Sequence, residues 1–326
     1  MGKMVDGTWR TDTWVRDNEG HFERDPTTFR NSVEDHPDAA HPARAGRYHL
    51  YVSYACPWAH RTLIVRALMG LQDAISVSVV HPHMLEDGWS FDNSFPGATG
   101  DAIFSKNFLR QIYKEADPNY SGRVTVPILW DKEAQTIVNN ESREIIRFFS
   151  TAFRSLARDP VDLWPEGYRD DVDRIIDEIY EPINNGVYRS GFATTQQAYE
   201  EAVTELFQEL GRWDKHLAEH RYLCGDAFTE ADVAMFTTLL RFDPVYYGHF
   251  KCNLKHVYEF PHLWAYTREI YQMDPITPTC FLDHIQQHYY YSHETINPSR
   301  IIPQGPILNH LEPHHRDRLP GSLLRR

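Results

Sequence analysis

The sequence predicts an α/β unit followed by an all-α unit, on two observations. Between about residues 47 and 149, strand-like and helix-like segments follow in the order strand, helix, strand, insert, strand, strand, helix. From about residue 168 onward the apolar pattern is helical, interrupted by short turns marked with Gly or Pro. A length of 326 residues suits two such units at about 150 residues per domain. The implied division is an extension over 1–46, the α/β part over 47–155, and the helical part with a C-terminal tail over 156–326.

The extension is polar and turn-rich but carries Trp9, Trp14, Phe22 and Phe29, more aromatics than a disordered tail holds, so it is expected to wrap an ordered surface. Residues 47–55 (RYHLYVSYA) alternate and are rich in Tyr and Val, a strand. Residues 60–71 place apolar side chains at 63, 64, 67, 68 and 71, the spacing of an amphipathic helix, and 74–80 form a second strand. The insert, 83–123, contains Trp89, Phe95 and Phe104 and is too long for a tight loop. Residues 125–130 and 136–139 form a hairpin, and 141–149 open another helix. In the helical part, periodicity covers 170–181, 195–220, 229–240 and 261–272. Thr229 and Asp232 have the spacing of a helix capping box, a reading of helix initiation with no chemistry attached. The run Tyr289-Tyr290-Tyr291 precedes a tail with several prolines.

Composition narrows the function. Lys and Arg number 33 against 46 Asp and Glu, a net charge of −13, which disfavours a nucleic-acid binder because phosphate contacts dominate such affinity. No apolar run approaches the roughly 20 residues that span a bilayer, and residues 1–10 lack the apolar core of a signal peptide. Cys56, Cys224, Cys252 and Cys280 are widely separated, which argues against a disulfide scaffold or a cysteine-based zinc site and suits a reducing cytoplasm. His81-Pro82-His83 and His314-His315 lack supporting cysteines, and no HExxH motif occurs, so no metal is expected.

The chemistry concentrates in Cys56-Pro57-Trp58-Ala59, which follows a strand and opens a helix. A sulfur over a helix N-terminus meets unpaired N–H groups and the positive end of the dipole, which favour the thiolate. Pro57 suits the first helical turn because the N–H it lacks has no intrahelical partner. A lone Cys at a strand end is ordinarily inert; the strand, Cys-Pro, helix context points the other way. Val126-Pro127 opens a strand where Pro is unfavourable, which a cis-Pro facing the thiol explains, as does a plain edge-strand Pro. Beside a cis-Pro, the Val126 backbone is free to pair with a peptide-like ligand. Glu141-Ser142 opens a helix where a hydroxyl and free N–H groups can hold a carboxylate and Glu141 an ammonium, or it is an ordinary N-cap. The three elements together are compatible with a slot for a γ-glutamyl tripeptide, its sulfur against Cys56.

On these residues the sequence is similar to the glutathione transferases, a thioredoxin-like domain followed by a helical one. It most resembles the glutathionyl-hydroquinone reductases, the Xi class of that superfamily, over nearly its whole length. The matching stretches are Cys56-Pro57-Trp58-Ala59, Gly88-Trp89, Val126-Pro127, Asn140-Glu141-Ser142, Asn184-Asn185-Gly186-Val187-Tyr188, Arg241 to Pro244, His249 to Cys252, His288-Tyr289 and Ile296 to Pro298. The resemblance implies glutathione contacts at Trp89, Arg123, Val126, Glu141 and Ser142, and phenolic contacts to a hydroquinone from Tyr188 and Tyr289. It also implies glutathione as cosubstrate, a small glutathionyl-quinol substrate and a homodimer. From the residues alone, Tyr188 also reads as an aromatic core residue and Arg123 as a surface cation. The run of three tyrosines leaves open which of Tyr289, Tyr290 and Tyr291 faces the substrate.

Ala59 occupies the place of a dithiol oxidoreductase's second cysteine, so Cys56 has no partner for an internal disulfide. Its reaction must end in a mixed disulfide that another small thiol resolves. A nucleophilic Cys suits removal of glutathione from an adduct better than activation of glutathione toward an electrophile. Two other readings use the same residues: an Omega-like thiol transferase or dehydroascorbate reductase, which needs no paired phenols, and a non-catalytic ligand-binding protein on the transferase scaffold.

Overall fold

The computed structural model describes residues 2–11 and 19–324; Trp14 lies outside them. By its internal contacts the chain divides into two units. The first comprises Met1–Val15, Arg24–Pro160 and Phe281–Ser292, and the second Arg16–Glu23, Val161–Cys280 and His293–Arg326. The units are not linear along the chain: Phe281–Ser292 counts with the first and Arg16–Glu23 with the second, and the main boundary falls between Pro160 and Val161.

In the first unit a hairpin of β1 (Lys3–Val5) and β2 (Thr8–Arg10) precedes a four-stranded sheet. The sheet comprises β3 (Tyr48–Val52), β4 (Ile75–Val79), β5 (Ile128–Asp131) and β6 (Thr136–Asn139), in the order β4-β3-β5-β6. β3 pairs with β4 in parallel through the crossover helix α1 (Pro57–Leu68), and β3–β5 and β5–β6 pair antiparallel. Every residue of β3 is buried, as a central strand requires. The insert contains α2 (Leu109–Ala116), a helix beyond those read from the sequence, and α3 (Ser142–Ser150) follows the sheet. The extension covers the edge of β6: Asn31 N–H donates to Val138 O (3.0 Å) and Asn140 N–H to Phe29 O (3.1 Å), satisfying an edge that would otherwise be open.

The extension is clamped at the far end of β5. The fully buried Asp131 carboxylate accepts from Arg47 Nε (2.8 Å) and bonds His41 Nδ1 (2.8 Å). Burial alone would raise the Asp131 pKa, but the bonds from Arg47 and His41 bring it down to about 2. The first unit also includes α10 (Leu282–Ser292), read from sequence only as a tyrosine cluster.

The second unit is built from α4 (Arg169–Ile179), α5 (Gly186–Phe192), α6 (Gln196–Glu219), α7 (Glu230–Arg241), the short α8 (Tyr247–His249) and α9 (Pro261–Tyr271). Two π-helical turns, Tyr180–Asn184 and Phe242–Tyr246, lead into α5 and α8. Pro182 and Pro244 lie within them, where a missing N–H is tolerated. The capping box forms at α7, with Asp232 Oδ2 accepting from Thr229 N–H at 2.8 Å. Arg316 from the tail donates to Leu217 O (3.0 Å), His220 O (2.8 Å) and Arg221 O (2.7 Å), capping the carbonyls at the end of α6.

Candidate active site

Cys56 is the N-cap of α1, with φ −75° and ψ 123°, and Pro57 is the first helical residue. Its carbonyl accepts from His60 N–H at 2.9 Å, while no side chain caps this end of the helix. The half-buried Cys56 thiol donates to Val126 O across 3.5 Å. The Val126–Pro127 peptide bond is cis, as the sequence suggests, and both residues are buried. The other thiols differ in kind. Burial pushes Cys224 and Cys280 up to about 12 and raises Cys252 as well. Trp58, on the first turn of α1, lies under the guanidinium of Arg24 at 4.0 Å from its ring centre.

Glu141 is the N-cap of α3, its Oε1 accepting from Arg143 N–H at 3.3 Å. Its Oε2 accepts from the Thr27 hydroxyl at 3.2 Å, and buried Ser142 is the first residue of the helix. Tyr113 joins this corner to the thiol's neighbour. From α2, its fully buried hydroxyl donates to Thr125 O (2.9 Å) and accepts from Thr125 N–H (3.2 Å) and Asn140 Nδ2 (3.1 Å). One oxygen therefore fixes the residue before Val126 and the residue before Glu141.

Trp89 is 6% exposed and follows Gly88, whose φ of +79° closes a turn in which Gly88 N–H donates to Leu85 O at 3.0 Å. Arg123 is half-buried, its carbonyl accepting from the Tyr120 hydroxyl at 2.8 Å. Tyr289 is buried on α10, whereas Tyr290 and Tyr291 are half-buried and the Tyr291 ring stacks on His83 at 3.8 Å.

All sequence-predicted site residues except Tyr188 therefore fall in the first unit. In the second, Tyr188 sits on α5 among Phe22 (6.4 Å between ring centres), Phe192 (6.2 Å), Tyr246 (6.0 Å) and Phe250 (5.3 Å). Gly191 makes this packing possible, since a Cβ there would come within 2.2 Å of the Phe250 ring. Sequence reading missed Thr27, Tyr113 and Asn140 as parts of the site. Only the Asn140-Glu141-Ser142 run hinted at one of them.

The glutathione S-transferase N-terminal domain family matches residues 55–152, and the C-terminal domain family matches 196–269. Glutathionyl-hydroquinone reductase YqjG of Escherichia coli is 52% identical over 97% of this chain and 99% of its own. The chain belongs to the glutathionyl-hydroquinone reductases, the Xi class of glutathione transferases. A Xi-class transferase from Natrialba magadii superposes with a TM-score of 0.94 at 56% identity, covering 99% of this chain and 98% of that one. The glutathione-bound structure of YqjG superposes with a TM-score of 0.89 at 50% identity, over 97% of this chain and 99% of that one. The architecture is accordingly the transferase fold, a thioredoxin-like domain with a helical one. Among the described residues no helix is long and apolar enough to cross a membrane, and no group of three or more His, Cys, Asp or Glu side chains is placed to hold a metal ion.

Proposed function

We propose that the protein is an oxidoreductase that removes glutathione from glutathionyl-hydroquinones, using a second glutathione as reductant. The observation that carries the reading is a thiol at the N-terminus of α1, bonded to the Val126 carbonyl, with alanine in place of a resolving cysteine. The full-length similarity to a protein named for this activity supports it.

In the first half-reaction the adduct tautomerises to a keto form, a proton moving from a ring hydroxyl to the carbon that bears sulfur. The Cys56 thiolate then attacks the glutathionyl sulfur. The new S–S bond forms as the C–S bond breaks, and the C–S electron pair restores the aromatic ring, whose oxygen takes up a proton. In the second half-reaction a glutathione thiolate attacks Cys56–S–SG, oxidised glutathione leaves, and the Cys56 thiolate returns. The ring carbon exchanges its sulfur for hydrogen and is reduced, while the adduct's thioether sulfur and one glutathione thiol become the disulfide, so the electrons balance.

Trp89, Arg123, Val126, Pro127, Glu141 and Ser142 form the glutathione slot in this reading. Val126 pairs with the peptide backbone, and Glu141 and Ser142 hold the γ-glutamyl end at the start of α3. Arg123 pairs with a carboxylate, and Trp89 covers the ligand and excludes water. Tyr188 and Tyr289 hydrogen-bond the ring oxygens, favouring the keto form and aiding protonation of the ring carbon. The reading includes a homodimer and a cytoplasmic setting, the latter suited to four free thiols.

The test is turnover of a glutathionyl-hydroquinone by Cys56→Ser and Cys56→Ala, both expected to be inactive; wild-type turnover by either refutes the thiol mechanism. Comparing the intact enzyme on this adduct and on a simple glutathione mixed disulfide separates it from an Omega-like thiol transferase, which would favour the disulfide.

A further inference from the structure

α10 is fastened to the insert along its length. Ser292 Oγ accepts from Met84 N–H at 2.9 Å, and His284 Nε2 donates to Pro96 O at 2.7 Å. At the centre of this seam the His288 imidazole stacks on the Trp89 indole, ring centres 4.7 Å apart and planes 24° from parallel. Both side chains are 6% exposed, so the stack is packed on its other sides. His288 Nδ1 lies 2.9 Å from Pro82 O; a carbonyl only accepts, so this nitrogen carries the proton. That bond fixes the tautomer and the plane of the ring. The indole's own backbone is held where Leu109 N–H donates to Trp89 O at 2.9 Å. The backbone bond holds the point of attachment of the indole, and the fixed imidazole lies against one face of its plane.

We propose that His288 is a positioning residue for glutathione, acting through Trp89. The inference rests on the reading that Trp89 covers the tripeptide. A fixed indole holds the thiol of the bound tripeptide against Cys56, and a freed one covers several orientations of which one reacts. Tyr289, next to His288 on α10, is carried by the same anchored helix.

The test measures glutathione binding to the full-length chain by calorimetry for His288→Ala, His288→Asn, His288→Gln, Trp89→Ala and the double variant His288→Ala/Trp89→Ala. His288→Ala is expected to weaken binding about threefold to tenfold, the scale of an aromatic stack. Asn and Gln, which keep an amide donor but have no ring to stack on the indole, are expected to recover little of the loss. In the Trp89→Ala background, removing His288 should cost nothing further. If His288→Ala weakens binding equally in both backgrounds, or His288→Asn binds glutathione as the unaltered protein does, His288 does not act through its stack on Trp89 and the proposal is overturned while the glutathione slot stands. If Trp89→Ala binds glutathione as the unaltered protein does, the covering role of Trp89 fails and takes the proposal with it. Should His288→Ala not fold, His288→Asn takes its place, alone and combined with Trp89→Ala, and is judged by the same outcomes.

Discussion

The Cys56 thiol donates to the Val126 carbonyl oxygen across 3.5 Å, so the nucleophile uses as its acceptor the backbone group that a peptide ligand would pair with. A thiol that donates is held as the neutral form, whereas the α1 N-terminus favours the thiolate. A tripeptide N–H that takes the Val126 carbonyl removes the first influence and leaves the second. Ligand binding is therefore expected to raise the thiolate fraction of Cys56. An S-methylated glutathione, which cannot form the mixed disulfide, should increase ultraviolet thiolate absorbance at fixed pH, and Cys56→Ser should abolish the increase. An unchanged absorbance on saturation would mean the ligand does not compete for Val126.

The proposed role of Tyr188 is in the chemistry and not in glutathione binding. Its ring is enclosed by Phe192, Tyr246 and Phe250 in the second unit, while the proposed glutathione residues belong to the first. Tyr188→Phe keeps the ring packing and removes the phenolic proton. Turnover of a glutathionyl-hydroquinone should fall by about 100-fold, the lower end for general acid catalysis, with glutathione affinity changed little. A loss of affinity that matches the loss of turnover would assign Tyr188 to the tripeptide instead.

Tyr113 makes a different prediction, because its hydroxyl holds both Thr125 and Asn140 without facing solvent. Tyr113→Phe leaves the Thr125 N–H and the Asn140 amide short of a partner, at a cost of about 1–3 kcal/mol. Because Thr125 precedes Val126 and Asn140 precedes Glu141, glutathione affinity should drop together with the melting temperature. Calorimetry and thermal unfolding of the same preparation check this, and a melting shift with unchanged affinity would show the slot to be independent of that hydroxyl.

Much of this arrangement was legible in the sequence, for local reasons. Cys56-Pro57 announces a helix start, and Thr229 with Asp232 another, because the signals lie within one turn. α5 was not legible. It is seven residues long, carries Gly186 and Gly191, and follows a π-turn that breaks the period. α10 buries His284, Ile285, His288 and Tyr289, a helical spacing carried by residues that read as polar. α2 has only eight residues and starts from Phe108, which is no cap signal. The contacts of Trp89 with His288 and of Thr27 with Glu141 join distant parts of the chain, and no pattern in one sequence encodes such a pairing.

The Asp131 cluster ties stability to pH. Its carboxyl is held at about 2 in the folded chain against an ordinary value of 3.8. A depressed folded pKa stabilises the fold above the unfolded value and ceases to do so as pH falls through the folded one. The contribution is about 2 kcal/mol at neutral pH and is roughly halved by pH 3. Asp131→Asn should lower the urea midpoint at pH 7 and lower it less at pH 3; an equal shift at both would show that the Asp131 charge is not what holds Arg47 and His41.

The central claim is that one sulfur takes up glutathione and has no neighbour to release it. Intact-mass and peptide mass spectrometry after incubation with a glutathionyl-hydroquinone, with free glutathione limiting, tests it most directly. The account predicts one glutathionyl group per chain, located on Cys56, formed as hydroquinone is released and removed by added glutathione as oxidised glutathione. Product formation with no adduct on Cys56, or an adduct on Cys224, Cys252 or Cys280 instead, would contradict it.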